Sequence, residues 1–66
     1  MTQGQCLRNA RLDHGLTLAA VGRALGVARQ YVHAWEVGRR NPGRKYLSKL
    51  AEVLGLELSD LLPRRT

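Results

Sequence analysis

Apolar residues recur along this chain at intervals of three and four, in short segments separated by glycine or proline. This spacing places apolar side chains on one face of an α-helix, whereas a half-buried strand would need the strict alternation that is absent here. The glycines and prolines mark where one segment stops and the next begins. The pattern therefore predicts five short helices and an all-α fold.

The five predicted helices have recognisable ends. His14 and Gly15 close the first helix, because histidine suits a helix C-terminus and glycine readily takes the left-handed cap. Thr17 is a good N-cap for the second helix. Only Gly22 is expected inside a helix, and the other glycines, Gly4 included, are expected between helices. The predicted bounds are residues 5–14, 17–26, 28–37, 44–54 and 58–62.

The third helix has two chemically different sides when its residues are placed 100° apart. The inner side holds Ala28, Tyr31, Val32 and Trp35. The outer side holds Arg29, Gln30, His33 and Val37, with Ala34 at its edge and Glu36 at the boundary near Val32. Trp35 is therefore expected in the core and Tyr31 at its margin. Arg29 and Gln30 are residue types that read guanine and adenine, but any solvent-facing turn can carry them, and alone they do not establish DNA binding.

The positive charge of the chain indicates which class of binding partner it favours. Its 66 residues are the size of one domain, and its net charge is +6 with a pI of about 10.8. Nine of its eleven basic residues are arginine. A domain this basic favours polyanions, with nucleic acid ahead of an acidic membrane surface. Excess charge also keeps a protein soluble, so charge alone leaves both interpretations open.

Several functions are disfavoured by what the sequence lacks. Cys6 is the single cysteine, and neither a signal peptide nor a run of about 18 apolar residues is present, so we expect a reduced, cytoplasmic protein that spans no membrane. Cys6, His14, His33 and the five acids do not form a nucleophile–base set by spacing, and an enzyme is not expected. No paired spacing predicts a metal site, and no cofactor or small-molecule ligand is expected.

Most of the chain resembles a known family. LRNARLDHGLTLAAVGRALGVARQYVHAWEVGRRNP, followed after a short loop by YLSKLAEVLGLELSDLL, is similar to the Cro/CI-type (XRE family) helix-turn-helix DNA-binding domain over residues 7–62. GLT opens the second helix, LGV forms the turn, and YVHAWEVGRRNP matches the end of the recognition helix with its basic loop. The resemblance implies a compact five-helix, lambda-repressor-like domain in which helices 2 and 3 form the helix-turn-helix. That single domain would occupy residues 1–66, with a core over residues 5–62 and a frayed tail at residues 63–66.

The resemblance also implies which residues contact DNA. The base-reading positions are Arg29, Gln30, Tyr31, His33 and Ala34. The phosphate-contacting positions are Thr17, Leu18, Arg39, Arg40, Arg44 and Lys45. Leu18 stands where the family often has glutamine, so a side-chain contact is lost there and the backbone amides and Thr17 remain. Ala34 could contact only a thymine methyl group. Ala28 replaces the usual Ser or Thr N-cap, and Val37 replaces a residue that is frequently polar.

Two structural features follow from the same resemblance. Glu36 matches a buried acid of the family and Arg11 matches its arginine partner, which implies an ion pair that joins the first helix to the third. Gly22 stands where the family usually has alanine. Glycine costs roughly 1 kcal/mol of helix propensity there, and a close approach of two backbones would explain why it is tolerated.

The implied function is sequence-specific binding of double-stranded DNA by a transcriptional regulator. It would be a repressor that places the helix of residues 28–37 in the major groove of an inverted-repeat operator, as a homodimer at least on DNA. The alternative is a protein-interaction module, such as an antitoxin or a restriction–modification controller, that binds a partner protein as well as DNA. The apolar residues near the C-terminus are Leu56, Leu58, Leu61 and Leu62. Part of this set is expected in the core, and the rest could form a homodimer interface or bind another protein.

Overall fold

Five α-helices follow one another in the computed structural model, which describes residues 2–61 apart from the side chain of residue 58. They are α1 (Gln3–Asp13), α2 (Leu18–Leu25), α3 (Arg29–Val37), α4 (Arg44–Leu54) and α5 (Leu58–Leu61). No strand occurs in this part of the chain, so the predicted all-α fold is confirmed. The predicted end of the fifth helix at Leu62 and the tail at residues 63–66 lie outside the described residues.

The first helix begins two residues earlier than the sequence indicated. Thr2 is its N-cap and forms a capping box with Gln5, in which each side chain accepts a hydrogen bond from the backbone N–H of the other residue. Gly4 therefore lies inside a helix, and the expectation that only Gly22 does so is wrong. Gly4 is buried against the end of α3, where a Cβ atom would overlap the backbone carbonyl of Glu36 and lie 2.8 Å from that of Trp35. The two helices meet closely because residue 4 has no side chain.

The turn between α2 and α3 has the close backbone approach that was expected at Gly22. A Cβ atom at Gly22 would lie 2.6 Å from the Val27 carbonyl oxygen and 3.3 Å from the Arg29 backbone nitrogen. Gly26 ends α2 in the left-handed region, with φ of 74°, and its conformation is one that L-residues with a Cβ rarely adopt. The chain can thus pass from α2 to α3 within three residues, and the start of α3 lies close to Gly22 of α2.

The core lies between all five helices. Its buried apolar residues are Leu7, Ala10, Val21, Val32, Trp35, Leu47, Leu50, Ala51, Leu54 and Leu61. Trp35 is 4% exposed, which confirms it as a core residue, and its ring centroid lies 5.4 Å from that of Tyr46. Two residues that the helical wheel placed on the inner side are exposed instead. Ala28 precedes the helix as its N-cap, so its side chain does not follow the helical pattern, and Tyr31 is 49% exposed.

Helix α3 is held from two sides. It packs against α2 on one side and against α1 on the other, while α1 and α4 both contact α5. The side chain of Gln3 donates a hydrogen bond to the backbone carbonyl of Leu61, which joins the two ends of the described chain. This packing fixes the position of α3 and leaves its first turn, at Arg29 and Gln30, exposed.

Candidate nucleic-acid interface

The start of α2 is a capped helix end at the protein surface. The hydroxyl of Thr17 accepts a hydrogen bond from the backbone N–H of Ala20 at 3.0 Å, as the sequence predicted for an N-cap. The first N–H groups of a helix have no partner within the helix, and the helix dipole is positive at this end. Leu18 presents its backbone N–H group at this helix end, while its half-buried side chain packs against the core. The position therefore suits a phosphate group.

Four of the five predicted base readers lie together on one side of α3. Arg29, Gln30 and His33 are exposed, and Ala34 is half-buried. They line an open groove between α3 and the start of α2. The other residues around this groove are Arg11, Leu12, Gly15, Leu16, Thr17, Leu18, Ala19 and Arg39. The structure thus brings three predicted phosphate contacts, Thr17, Leu18 and Arg39, to the same groove as the four readers.

Tyr31 lies apart from the other predicted readers. It lines a second cleft, between α3 and the start of α4, together with Arg40, Gly43 and Tyr46. A helical wheel gives the angle of a residue but not the elements that flank it, and the start of α4 is the element that flanks Tyr31. Tyr31 therefore lines the same cleft as Arg40, which is a predicted phosphate contact.

The remaining predicted phosphate contacts begin α4. Arg44 and Lys45 are exposed in its first turn, and the N-cap Gly43 makes no side-chain capping hydrogen bond. The ammonium group of Lys45 lies 4.9 Å from the centre of the Tyr46 ring, a cation–π distance. The first turn of α4 thus presents two cations beside the second cleft.

An ion pair joins α1 to α3 behind the groove. Arg11 Nε donates to Glu36 Oε2 at 2.7 Å, and Arg11 Nη2 donates to Glu36 Oε1 at 3.1 Å, which is the bidentate geometry of a strong pair. The third guanidinium nitrogen, Nη1, donates to the Leu16 carbonyl at 2.9 Å. The side chains are 12% and 4% exposed. The pair ties the loop before α2 and the end of α3 to the same arginine, so it fixes the two walls of the groove relative to each other.

The charge around the groove is almost entirely positive. Between residues 15 and 51 Glu36 is the single acid, and it is paired with Arg11. The same segment contains seven basic residues, Arg23, Arg29, Arg39, Arg40, Arg44, Lys45 and Lys49. The other four acids, Asp13, Glu52, Glu57 and Asp60, lie outside that segment. A polyanion approaching α3 would meet no unpaired carboxylate from this stretch of the chain.

Metal sites, reactive cysteine and histidine side chains, and membrane-spanning helices would indicate other functions for the described part of the chain. Within residues 2–61 no three His, Cys, Asp or Glu side chains come together as metal ligands. Cys6 is a half-buried free cysteine, and His14 Nδ1 lies 2.9 Å from the Ala10 carbonyl oxygen at the end of α1. None of the helices in this range has the length and apolar character needed to cross a membrane.

Sequence reasoning missed the apolar part of the groove. Leu16 and Ala19 line it, and Leu12, which is 53% exposed, stands at its edge. Leu16 lies between two helices, so it belongs to no helical stripe that periodicity could reveal. The one signal in the sequence is Leu18, an apolar residue at a helix start that lines the same groove as Ala34.

The Helix-turn-helix family model matches residues 7–61 of this chain. An uncharacterised helix-turn-helix transcriptional regulator of Methanocaldococcus jannaschii is 34% identical over 55 residues, which cover 83% of each protein. The SPbeta prophage-derived uncharacterised regulator YonR of Bacillus subtilis is 32% identical over 59 residues. That match covers 89% of this chain but 55% of YonR, so the chain spans about half the length of this relative.

Two solved structures have a similar fold. The P22 c2 repressor, in complex with a synthetic operator, superposes with a TM-score of 0.89 at 26% sequence identity, and the match covers 94% of each chain. The restriction-modification controller protein C.AhdI from Aeromonas hydrophila superposes with a TM-score of 0.81 at 35% identity. That match covers 91% of this chain and 87% of C.AhdI.

Proposed function

We propose, because this chain belongs to the helix-turn-helix family, that it is a DNA-binding transcriptional regulator and that α3 is its recognition helix. The observation that carries the proposal is the exposed first turn of α3, where Arg29 and Gln30 stand beside the capped start of α2. The surrounding segment contains no unpaired acid. An enzymatic role is not part of the proposal.

The proposed reading of bases uses the groove side of α3. In the major groove, Arg29 would make a bidentate pair with guanine, and Gln30 with adenine, each contributing about 1–3 kcal/mol of discrimination. His33 and Ala34 would face the neighbouring base pairs one turn later. Tyr31 is proposed to contact the DNA backbone beside Arg40, because the two residues line the same cleft.

The proposed phosphate contacts flank α3 on both sides. The backbone N–H of Leu18 and the hydroxyl of Thr17 would hold one phosphate at the start of α2. On the other side, cations of the loop and of the first turn of α4 would contact further phosphates. These cations are Arg39, Arg40, Arg44 and Lys45. Such contacts set the register of the protein on the duplex but carry no sequence information.

The proposed regulator is a repressor that binds as a homodimer. The P22 c2 structure holds a repressor on an operator, and two copies of this chain on an inverted repeat would need half-sites about 34–36 Å apart. Half-buried Val53 and Leu56 near the end of the described chain are available for a contact between copies. Leu58 and Leu62, which the sequence suggested for such a surface, lie outside the described side chains. The expected location remains the cytoplasm, because DNA is the proposed partner.

A restriction–modification controller is the second candidate. The 35% identity to C.AhdI over most of both chains favours it over an antitoxin. Such a controller would bind DNA through the same groove, so the two candidates differ in target genes and partner protein rather than in the site. A neighbouring restriction gene, or a protein that copurifies with the chain at a fixed ratio, would distinguish them.

Selection from a random duplex pool tests the proposal. The full chain should enrich a short motif that is repeated in inverted orientation, with half-site centres about one helical turn apart. Enrichment of a single half-site would contradict the homodimer but not DNA reading. If no motif is enriched over several rounds at moderate salt, sequence-specific binding is refuted.

A further inference from the structure

Arg8 is an exposed arginine of α1 that takes part in none of the proposed DNA contacts. The residues one helical turn after it, Arg11 and Leu12, both line the groove between α2 and α3. Leu12 also lines a separate cleft on the outer surface of α1, together with Arg8. At 100° per residue Arg8 falls between Arg11 and Leu12 on the helical wheel, and it lies about 4.5–6 Å from them along the helix axis. Arg8 therefore continues the edge of the groove onto α1.

Arg8 has no carboxylate partner within residues 2–61, and the neighbouring Arg11 is paired with Glu36. On a helix the side-chain neighbours of a residue lie three and four positions away. Around Arg8 these positions hold Gly4, Gln5, Arg11 and Leu12. Asp13, the one acid of α1, lies about 140° from Arg8 at 100° per residue. The guanidinium of Arg8 is therefore available to an anion from outside the chain.

We propose that Arg8 binds a backbone phosphate of the operator next to the phosphate proposed at the start of α2, outside the bases that α3 reads. This inference rests on the proposed function and extends the DNA contact from the helix-turn-helix to α1. A guanidinium can bind a phosphate through two parallel hydrogen bonds, and the long stem of arginine carries the charge away from the helix surface. Thr17 and Leu12 border the same groove, so one DNA strand can lie against both.

The charge around Arg8 favours a phosphate over a protein carboxylate as its partner. Arg29 and Arg39 border the groove that Arg8 extends. The nearest acid on α3, Glu36, is 4% exposed and already paired. Cations spaced along one surface are complementary to a polyanion with regularly spaced charges, and DNA carries one phosphate per strand about every 3.4 Å of its axis. The contact at Arg8 would fix the register of the protein on the duplex without reading a base.

Methylphosphonate scanning tests the proposal. Each phosphate of the selected duplex is replaced in turn by a methylphosphonate, which occupies the same place in the strand but carries no charge. The dissociation constant of the full chain is measured by fluorescence anisotropy at fixed salt. At least one phosphate outside the bases read by α3 should show about five-fold weaker binding on replacement, the effect of one hydrogen bond. In Arg8→Ala the same replacement should change binding by less than about two-fold.

Matched variants assign the effect to the guanidinium of Arg8. Arg23→Ala is the control, because Arg23 is an exposed arginine of α2 that lines neither the groove nor the cleft at Arg8. It removes the same charge and should keep the loss of about five-fold at that phosphate. Arg8→Ala should lower the salt slope of DNA binding by about 1 for each bound copy, and Arg8→Lys, which keeps the charge, should preserve the slope. A purely structural role of Arg8 would change neither the slope nor the response to one phosphate.

The proposal is overturned if Arg8→Ala keeps the full response to every phosphate that matters to the wild-type chain, or if Arg8→Ala and Arg23→Ala lower the salt slope equally. The proposed function survives either result as long as the wild-type chain still discriminates the selected duplex from a scrambled one. Failure of that discrimination would refute the function itself. If Arg8→Ala leaves DNA binding unchanged and dissociates a homodimer formed without DNA, Arg8 pairs with a carboxylate of the other copy and the proposal is wrong.

Discussion

Removal of Arg11 is expected to destabilise the fold severely. In Arg11→Ala the carboxylate of Glu36, which is 4% exposed, loses both of its guanidinium hydrogen bonds, and the Leu16 carbonyl loses its donor. Breaking a buried ion pair by removing one partner costs about 3–5 kcal/mol, because the remaining charge stays buried without compensation. A domain of 66 residues has a free energy of unfolding of roughly 3–10 kcal/mol. The substitution therefore removes a large part of the free energy of unfolding.

Urea and thermal unfolding followed by circular dichroism measure this effect. The midpoint temperature of Arg11→Ala should fall by more than about 10 °C, given 4–8 °C per kcal/mol for a domain of this size. Arg8→Ala is the matched control, because Arg8 is an exposed arginine on the same helix. It should change the free energy of unfolding by no more than about 0.5 kcal/mol.

A double substitution distinguishes a buried charge from lost packing. Arg11→Met combined with Glu36→Leu removes both charges and keeps most of the volume, so it should recover much of the stability that either single substitution loses. If Arg11→Ala is as stable as Arg8→Ala, the pair makes no net contribution. If the double variant is as unstable as the sum of its single substitutions, burial of an unpaired charge is the wrong explanation.

Three further outcomes are expected. Gly4→Ala should lower the free energy of unfolding by about 1–3 kcal/mol, because its Cβ would overlap the end of α3. Ala24→Gly is the control, because it measures the effect of helix propensity alone at an exposed site, about 1 kcal/mol. If Gly4→Ala is as stable as the wild-type chain, the close contact of α1 and α3 is contradicted. Thr17→Ala should cost about 1 kcal/mol of stability through loss of the cap, and Thr17→Ser should restore it. The logarithm of the association constant for the selected duplex should fall linearly with the logarithm of salt concentration, and a flat response would refute the phosphate contacts.

The helices were predictable because their signals are local. Apolar residues at helical spacing and a glycine after each of the first four helices fix the elements to within two residues, apart from the end of the fifth at Leu62, which the structure does not describe. The Arg11–Glu36 pair was predicted from the family resemblance, and the helical wheel added only that Glu36 lies at the edge of the core. The helix signals depend on residues that are near one another in sequence, whereas the pair joins two helices and was reached through the family resemblance.

The features that the sequence did not reveal share a different cause. Gly4 looks like a break between elements, but the capping box of Thr2 and Gln5 starts the helix before it, and the close approach of α3 explains why residue 4 has no side chain. Tyr31 and Arg29 lie about 200° apart on the helical wheel, so periodicity separates them, but only the packing of α4 and α2 shows which cleft each residue lines. Leu16, between α1 and α2, lines the same groove as Ala34. Packing between helices decides these features, and periodicity along one helix carries no information about it.

The central claim is that α3 reads DNA while the loop after it only holds the backbone. The most direct test compares Arg29→Ala with Arg40→Ala on the selected duplex and on its complete set of single-base-pair variants, at several salt concentrations. Arg29→Ala should lose about 1–3 kcal/mol of discrimination at one base pair of each half-site. Arg40→Ala should weaken binding to every duplex alike and lower the salt slope by about 1. An unchanged base preference in Arg29→Ala would contradict the claim.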